Sequence, residues 1–85
     1  MVLTLEASPN VYSWEDHSKF PIEKQEIRVS SYEQARQHTL EFIKKYDLGG
    51  SNISSGKIFE NGKLIAKVTY GGRVIFPDDE FFRFM

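Results

Sequence analysis

Few side chains in this sequence could do acid–base or metal chemistry, and the histidines are the first to consider. His17 follows Glu15 and Asp16, and all three residue types can ligate a metal ion. Successive side chains of an extended strand point to opposite faces, so three neighbours cannot converge on one ion without ligands from elsewhere, such as Asp78 or Asp79. The sequence therefore predicts no metal site.

Nucleophilic and phosphate-binding chemistry have no stronger support. The chain contains no cysteine, which removes thiolate nucleophiles, disulfides and cysteine-bound metals. No serine lies in a Gly-x-Ser-x-Gly turn, and the run 49–52 (GGSN) follows a predicted helix instead of opening one, unlike a phosphate-binding loop. His38 falls on the flank of that helix, where we expect a structural role. The sequence thus predicts no catalytic residue and no cofactor, and it does not indicate an enzyme.

The composition is typical of one small folded domain. The chain has 85 residues, of which 40% are hydrophobic and 14% aromatic, and we expect a single α+β domain over residues 1–85. A net charge of −1 gives no electrostatic reason to expect nucleic acid or a membrane surface as partner. The sequence shows no signal peptide, no apolar run of membrane-spanning length and no cysteine, so it predicts a soluble, cytoplasmic protein.

The elements that would position any site are clearest in the last third, Gly56 to Phe76. Short apolar runs flank Asn61-Gly62, and another run follows Gly71-Gly72. Both pairs accept the positive φ angles of a type I′ turn, whose twist matches antiparallel strands. The segment is therefore predicted to form a three-stranded antiparallel meander.

Two-residue turns at both positions would fix the register of the meander and the side of the sheet on which each residue lies. The first turn would pair Ile58 with Ile65, and the second would pair Val68 with Ile75. The predicted helix-facing residues are Phe59, Leu64, Ala66, Val68, Tyr70 and Ile75, with the small Ala66 allowing close approach of the helix. The opposite face would carry Ile58, Ile65, Val74 and Phe76, together with Lys63, Lys67 and Thr69. We expect this apolar face to be covered. Either the chain's own N-terminal segment or tail covers it, or a protein partner does.

One helix is predicted from about Ser31 to Asp47. Ser30 with Glu33, or Ser31 with Gln34, forms a capping box at its start. Apolar residues recur at helical spacing along it and define one buried stripe: Tyr32, Ala35, Thr39, Phe42, Ile43 and Tyr46. Gly49-Gly50 is predicted to supply the left-handed cap at its end.

The segment before the helix is predicted to contain strands. Val2–Leu5 and Val11–Trp14 are short β-like runs, and Ile22–Val29 carries enough charge to suggest an edge strand. The predicted fold class is α+β, with a single helix packed on a mainly antiparallel sheet that ends in the three-stranded C-terminal meander. The element order would be β-β-β-α-β-β-β.

The C-terminal tail, residues 77–85, reads PDDEFFRFM. Three aromatic residues so close to a terminus are expected either to dock on the domain or to anchor another chain. The sequence favours a small non-catalytic protein-interaction domain, possibly homodimeric. Its predicted partner-binding residues are Ile58, Ile65, Val74, Phe76, Phe81, Phe82, Arg83 and Phe84. The alternative is a nucleic-acid-binding module that uses Lys63, Lys67 and Arg73 of the meander.

Overall fold

A computed structural model describes residues 1–9, 20–50, 52–53 and 55–84. Its elements are β1 (Val2–Leu5), β2 (Gln25–Arg28), α1 (Tyr32–Lys45), β3 (Ser55–Glu60), β4 (Lys63–Thr69), β5 (Val74–Ile75) and a short 3-10 helix (Phe82–Phe84). The five strands form one antiparallel sheet in the order β2-β1-β3-β4-β5. These elements confirm the α+β class. The predicted strand Val11–Trp14 lies outside the described residues.

The N-terminal strand connects the two halves of the sheet. Leu3 pairs with Ile27 on one side and with Ile58 on the other, so β1 lies between β2 and the meander. Strand β2 is shorter than the predicted Ile22–Val29 and forms one edge of the sheet in the described part of the chain. Its residues alternate between half-buried and exposed, as expected for an edge strand with one side in water.

The helix begins at the second of the two predicted caps. The Ser31 hydroxyl accepts a hydrogen bond from the Gln34 backbone N–H at 3.1 Å, and the Gln34 side chain accepts one from the Ser30 backbone N–H at 2.8 Å. These bonds satisfy N–H groups that have no partner within the helix.

The helix ends earlier than the glycines predicted to cap it. The Leu48 N–H donates to the Ile43 carbonyl and the Asp47 N–H donates to the Lys44 carbonyl, which is the Schellman pattern. Asp47 has the positive φ of 50° that this pattern requires. The prediction that Gly49-Gly50 forms the cap is therefore wrong, because aspartate is among the few residue types that tolerate this conformation.

The core lies between α1 and the sheet face that packs against it, called the inner face. Its fully buried strand residues are Leu3, Leu5, Ile58, Ala66 and Val68. The helix lies close to the sheet at Gly56, where an added Cβ would be 2.7 Å from the Thr39 hydroxyl oxygen. A glycine, which has no side chain, permits this contact.

The first hairpin confirms its predicted turn but not its full register. Asn61 and Gly62 have positive φ angles of 53° and 78°, as a type I′ turn requires. Phe59 pairs with Leu64, but the register then shifts and Ile58 pairs with Ala66, so that Ile65 is an extra residue in β4. This β-bulge puts Ile58 on the inner face and leaves Phe59 on the outer face, the side opposite the helix. Both predicted placements are wrong for that reason.

The second hairpin has a longer loop than predicted. The Thr69 N–H donates to the Arg73 carbonyl at 2.8 Å and the Gly72 N–H donates to the Thr69 carbonyl at 2.9 Å. The loop thus contains three residues, and Gly72, not Gly71, has a positive φ of 90°.

The extra loop residue shifts the register of β5 by one position. Val68 now pairs with Val74, and Lys67 pairs with Ile75. A shift of one residue exchanges the two faces, so Val74 lies on the inner face and Ile75 on the outer face, the reverse of the prediction.

No helix in the described part of the chain is both long and apolar enough to cross a membrane.

Candidate interaction surface

The C-terminal tail docks on the outer face of the sheet. The Lys67 ammonium donates a hydrogen bond to the Phe82 carbonyl at 2.5 Å and lies 4.5 Å from the centre of the Phe82 ring. Lys67 is only 6% exposed as a result, and its strand partner Ile75 is also buried. This contact supports one of the two predicted roles of the tail, docking on its own domain.

Asp79 shapes the tail and ties it to the second hairpin. Its carboxylate accepts a hydrogen bond from the Phe81 backbone N–H at 2.9 Å and forms an ion pair with Arg73 at 3.2 Å. Its own N–H donates to the Phe76 carbonyl at 2.9 Å, which closes a turn directly after β5. These bonds position the 3-10 helix over β4.

Burial changes the electrostatics of Lys67. Desolvation under the tail, and secondarily the Lys57 ammonium on the neighbouring strand, lower the pKa of Lys67 below its usual value. The two lysines are direct cross-strand partners on the outer face. A ring face and a carbonyl oxygen compensate part of the cost of burying this charge.

The structure does not bring the three predicted nucleic-acid-binding residues to one surface. Lys67 lies beneath the tail, and Arg73 pairs with Asp79. Lys63 is exposed at the start of β4 opposite Glu60, and the bulge at Ile65 separates its side of the sheet from that of Lys67.

Several predicted partner-binding residues make their contacts inside the domain instead of on its surface. Ile58 is fully buried on the inner face, and Ile65 and Val74 are half-buried and pack against the core. The prediction that these three lie on an apolar outer face is wrong, because the bulge and the three-residue loop move them to the helix side. Phe82 is half-buried where it contacts Lys67.

The remaining predicted residues lie at the end of the chain. Arg83 is exposed in the short 3-10 helix. Phe84 is the last residue of that helix, and the prediction for its side chain lies outside the described part of the structure.

We group three exposed aromatic residues under the name aromatic edge: Tyr32 and Phe76, which are in contact, and Phe81, which follows Phe76 in the tail. Tyr32 and Phe76 are 38% and 40% exposed and meet edge to face, with ring centres 5.1 Å apart. Phe81, in the tail that begins directly after Phe76, is 51% exposed. Sequence reasoning assigned Tyr32 to the buried stripe. Its position as the first helical residue, at the end of that stripe, is the signal that could have indicated exposure.

A fourth exposed ring lies apart from this edge. The Tyr70 hydroxyl donates to the Leu48 carbonyl at 3.1 Å, beyond the end of α1, whereas Tyr32 lies at the start of the helix. Tyr70 therefore provides an internal comparison for the aromatic edge.

The structure also contains a polar cleft of about 300 Å³ at the end of the β1–β3 pair. Thr4, Glu6, Asn52, Ser55 and Lys57 contribute to its walls. The sequence did not predict this cleft, because the pairing of β1 with β3 brings its walls together.

No group of three or more histidine, aspartate or glutamate side chains within the described ranges is arranged to hold a metal ion. The segment Glu15–His17 lies outside those ranges.

Comparison with protein-family models, with curated proteins and with solved structures gave no match.

Proposed function

We propose that this chain is a small non-catalytic protein-interaction domain that self-associates through the aromatic edge. The observation that carries the proposal is the exposure of Tyr32, Phe76 and Phe81, each 38% or more. Most other large apolar side chains among the described residues are buried or packed against the core, with Tyr70 as the exception. Exposed aromatic rings are costly to hydrate and are enriched among the residues that dominate interface energies. Docking of the tail supports the proposal, since it holds Phe81 on the folded domain.

The charges beside the aromatic edge favour a second copy as the partner. Asp78 and Glu80 precede Phe81, and Arg83 follows it, all three exposed. In a two-fold contact the same surface meets itself, so acids of one copy can lie against the arginine of the other. Such complementary charges favour the correct orientation of association.

We further propose a cytoplasmic location. The absence of cysteine supports it, because it suits a reducing compartment.

Substitutions at the aromatic edge test the proposal. Wild type should sediment with twice the 9.9 kDa chain mass at micromolar concentration. Phe76→Ser and Phe81→Ser should each weaken dimerisation by about 30-fold, since an interface hot spot contributes roughly 2 kcal/mol or more. The measurement is sedimentation equilibrium across a concentration series, with far-UV circular dichroism to verify folding.

Tyr70→Ser is the matched control, because it removes an equally exposed ring away from the aromatic edge. It should leave the dimerisation constant unchanged. A wild-type mass of 9.9 kDa at every concentration, or equal weakening by all three variants, would reject self-association through this edge.

A further inference from the structure

A buried serine, Ser55, is among the residues that line the polar cleft at the end of the β1–β3 pair. Ser55 is only 6% exposed, and its Oγ has no hydrogen-bond partner among the described residues. Buried polar side-chain atoms nearly always have a partner, so each exception calls for a physical reason. Ser55 lines the cleft, and a bound molecule would supply the missing partner.

Two opposite charges lie beside this hydroxyl. Lys57 is two residues along β3 from Ser55, so both side chains leave the same face of the strand. Thr4 is the cross-strand partner of Lys57, and Glu6 lies two residues beyond Thr4. All four line the cleft. Neither Lys57 nor Glu6 forms an ion pair within 4.0 Å with another described residue.

The wall of the cleft is held in place before any ligand arrives. Asn52 is buried, and its amide group donates to the Ser8 carbonyl at 3.1 Å and accepts from the Gly49 N–H at 2.8 Å. The Ser8 N–H in turn donates to the Asn52 carbonyl at 2.8 Å. A preformed wall lowers the entropy cost of binding.

The geometry points to a site for a small zwitterion of the free amino-acid class. The ammonium group of Lys57 and the hydroxyl of Ser55 donate to the ligand carboxylate, and the carboxylate of Glu6 accepts from the ligand ammonium. A simple anion would be repelled by Glu6, and a simple cation by Lys57. The volume of about 300 Å³ is at the lower end of the range of small-molecule pockets, about 300–1,000 Å³.

Titration of the full-length, ¹⁵N-labelled chain with pools of free amino acids at millimolar concentration tests this site. At least one pool should shift the backbone amide resonances of Thr4, Ser55 and Lys57 in a saturable way. Acetate and ethylamine, which each carry one of the two charges, should shift them at least about tenfold less effectively, since each lacks one charge-assisted hydrogen bond. No saturable shift with any pool would overturn the proposal.

Three variants assign the roles within the site. Ser55→Ala, Lys57→Gln and Glu6→Gln should each weaken amino-acid binding about tenfold. Lys63→Gln and Glu60→Gln remove the same charges at the tip of the first hairpin and should have no effect. Glu6→Gln should also strengthen acetate binding, because it removes the carboxylate that repels this anion. A purely structural role of Glu6 would not make amino-acid binding weaker and acetate binding stronger. Acetate binding as tight as that of the amino acids, or unchanged binding in Ser55→Ala, would contradict the assignment.

Discussion

Lys67 shows how single residues balance opposing effects in this protein. Its ammonium group is buried beneath the tail and faces a second lysine, and both conditions disfavour its charge. The carbonyl and ring of Phe82 compensate by accepting a hydrogen bond and by contacting the cation. The side chain thus fastens the tail, while the repulsion from Lys57 opposes it.

Removal of that repulsion should stabilise the protein. Lys57→Gln is expected to raise the free energy of unfolding by roughly 0.2–1 kcal/mol at low salt, because like charges directly opposite each other are destabilising. The gain should shrink in high salt, where the repulsion is screened. Urea denaturation at two salt concentrations measures it, and a loss of stability at low salt would contradict this account of Lys67.

The same residue predicts a pH dependence. Because the pKa of Lys67 is lowered in the folded state, the unfolded chain binds more protons between that lowered value and the usual 10.5. Stability should therefore rise with pH through this window. Lys57→Gln should reduce the rise, since it removes one of the two causes of the shift. Chemical denaturation at several alkaline pH values measures how the free energy of unfolding changes with pH. A free energy of unfolding that falls with pH in this window would contradict the prediction.

At the scale of elements, the two hairpins differ in how far their sequence determines them. Asn61-Gly62 forms the predicted type I′ turn, because both residues accept positive φ. The bulge at Ile65 leaves no comparable sequence signal: it shows only in the pairing of Ile58 with Ala66 next to that of Phe59 with Leu64. Gly71-Gly72 permits more than one turn. The three-residue loop that forms is held by bonds between Thr69 and Arg73 and by a bond of 3.0 Å from the Arg36 side chain to the Gly72 carbonyl.

The two glycines of the second hairpin should respond differently to substitution. Gly72→Ala is expected to cost about 1–2 kcal/mol for the left-handed backbone alone. Its new methyl group would also lie 3.2 Å from the Leu40 side chain. Gly71→Ala is the control, because Gly71 lacks a positive φ and its nearest new contact is at 4.0 Å. Equal losses of thermal stability in both variants would favour a two-residue turn instead.

Truncations in the first hairpin test the bulge in the same way. Ile58→Ala should cost about 2–5 kcal/mol, because Ile58 is fully buried beneath the helix. Leu64→Ala should cost clearly less, since Leu64 is half-buried on the outer face with Phe59. Without the bulge the order would be reversed. Chemical denaturation of both variants decides between the two registers.

For the whole molecule, the sequence was sufficient to predict the class of fold but not to locate the candidate sites on the protein surface. The amphipathic stripe of the helix and the Asn-Gly turn are local patterns, and both were recognised correctly apart from the exposed Tyr32 at the start of the stripe. The pairing of β1 with β3 joins residues more than fifty positions apart, and no local pattern specifies it. The polar cleft depends on this pairing, and the aromatic edge depends on the register of β5. Neither could be located before these long-range contacts were known.

The most direct test of the account is an isotope-filtered NOE experiment on a dimer assembled from labelled and unlabelled chains. We expect intermolecular NOEs that involve the rings of Tyr32, Phe76 and Phe81, because these form the proposed contact between copies. NOEs between the Phe82 ring and the Lys67 side chain should arise within one chain only. Intermolecular NOEs between Phe82 and Lys67, or none from the aromatic edge at millimolar concentration, would contradict the account.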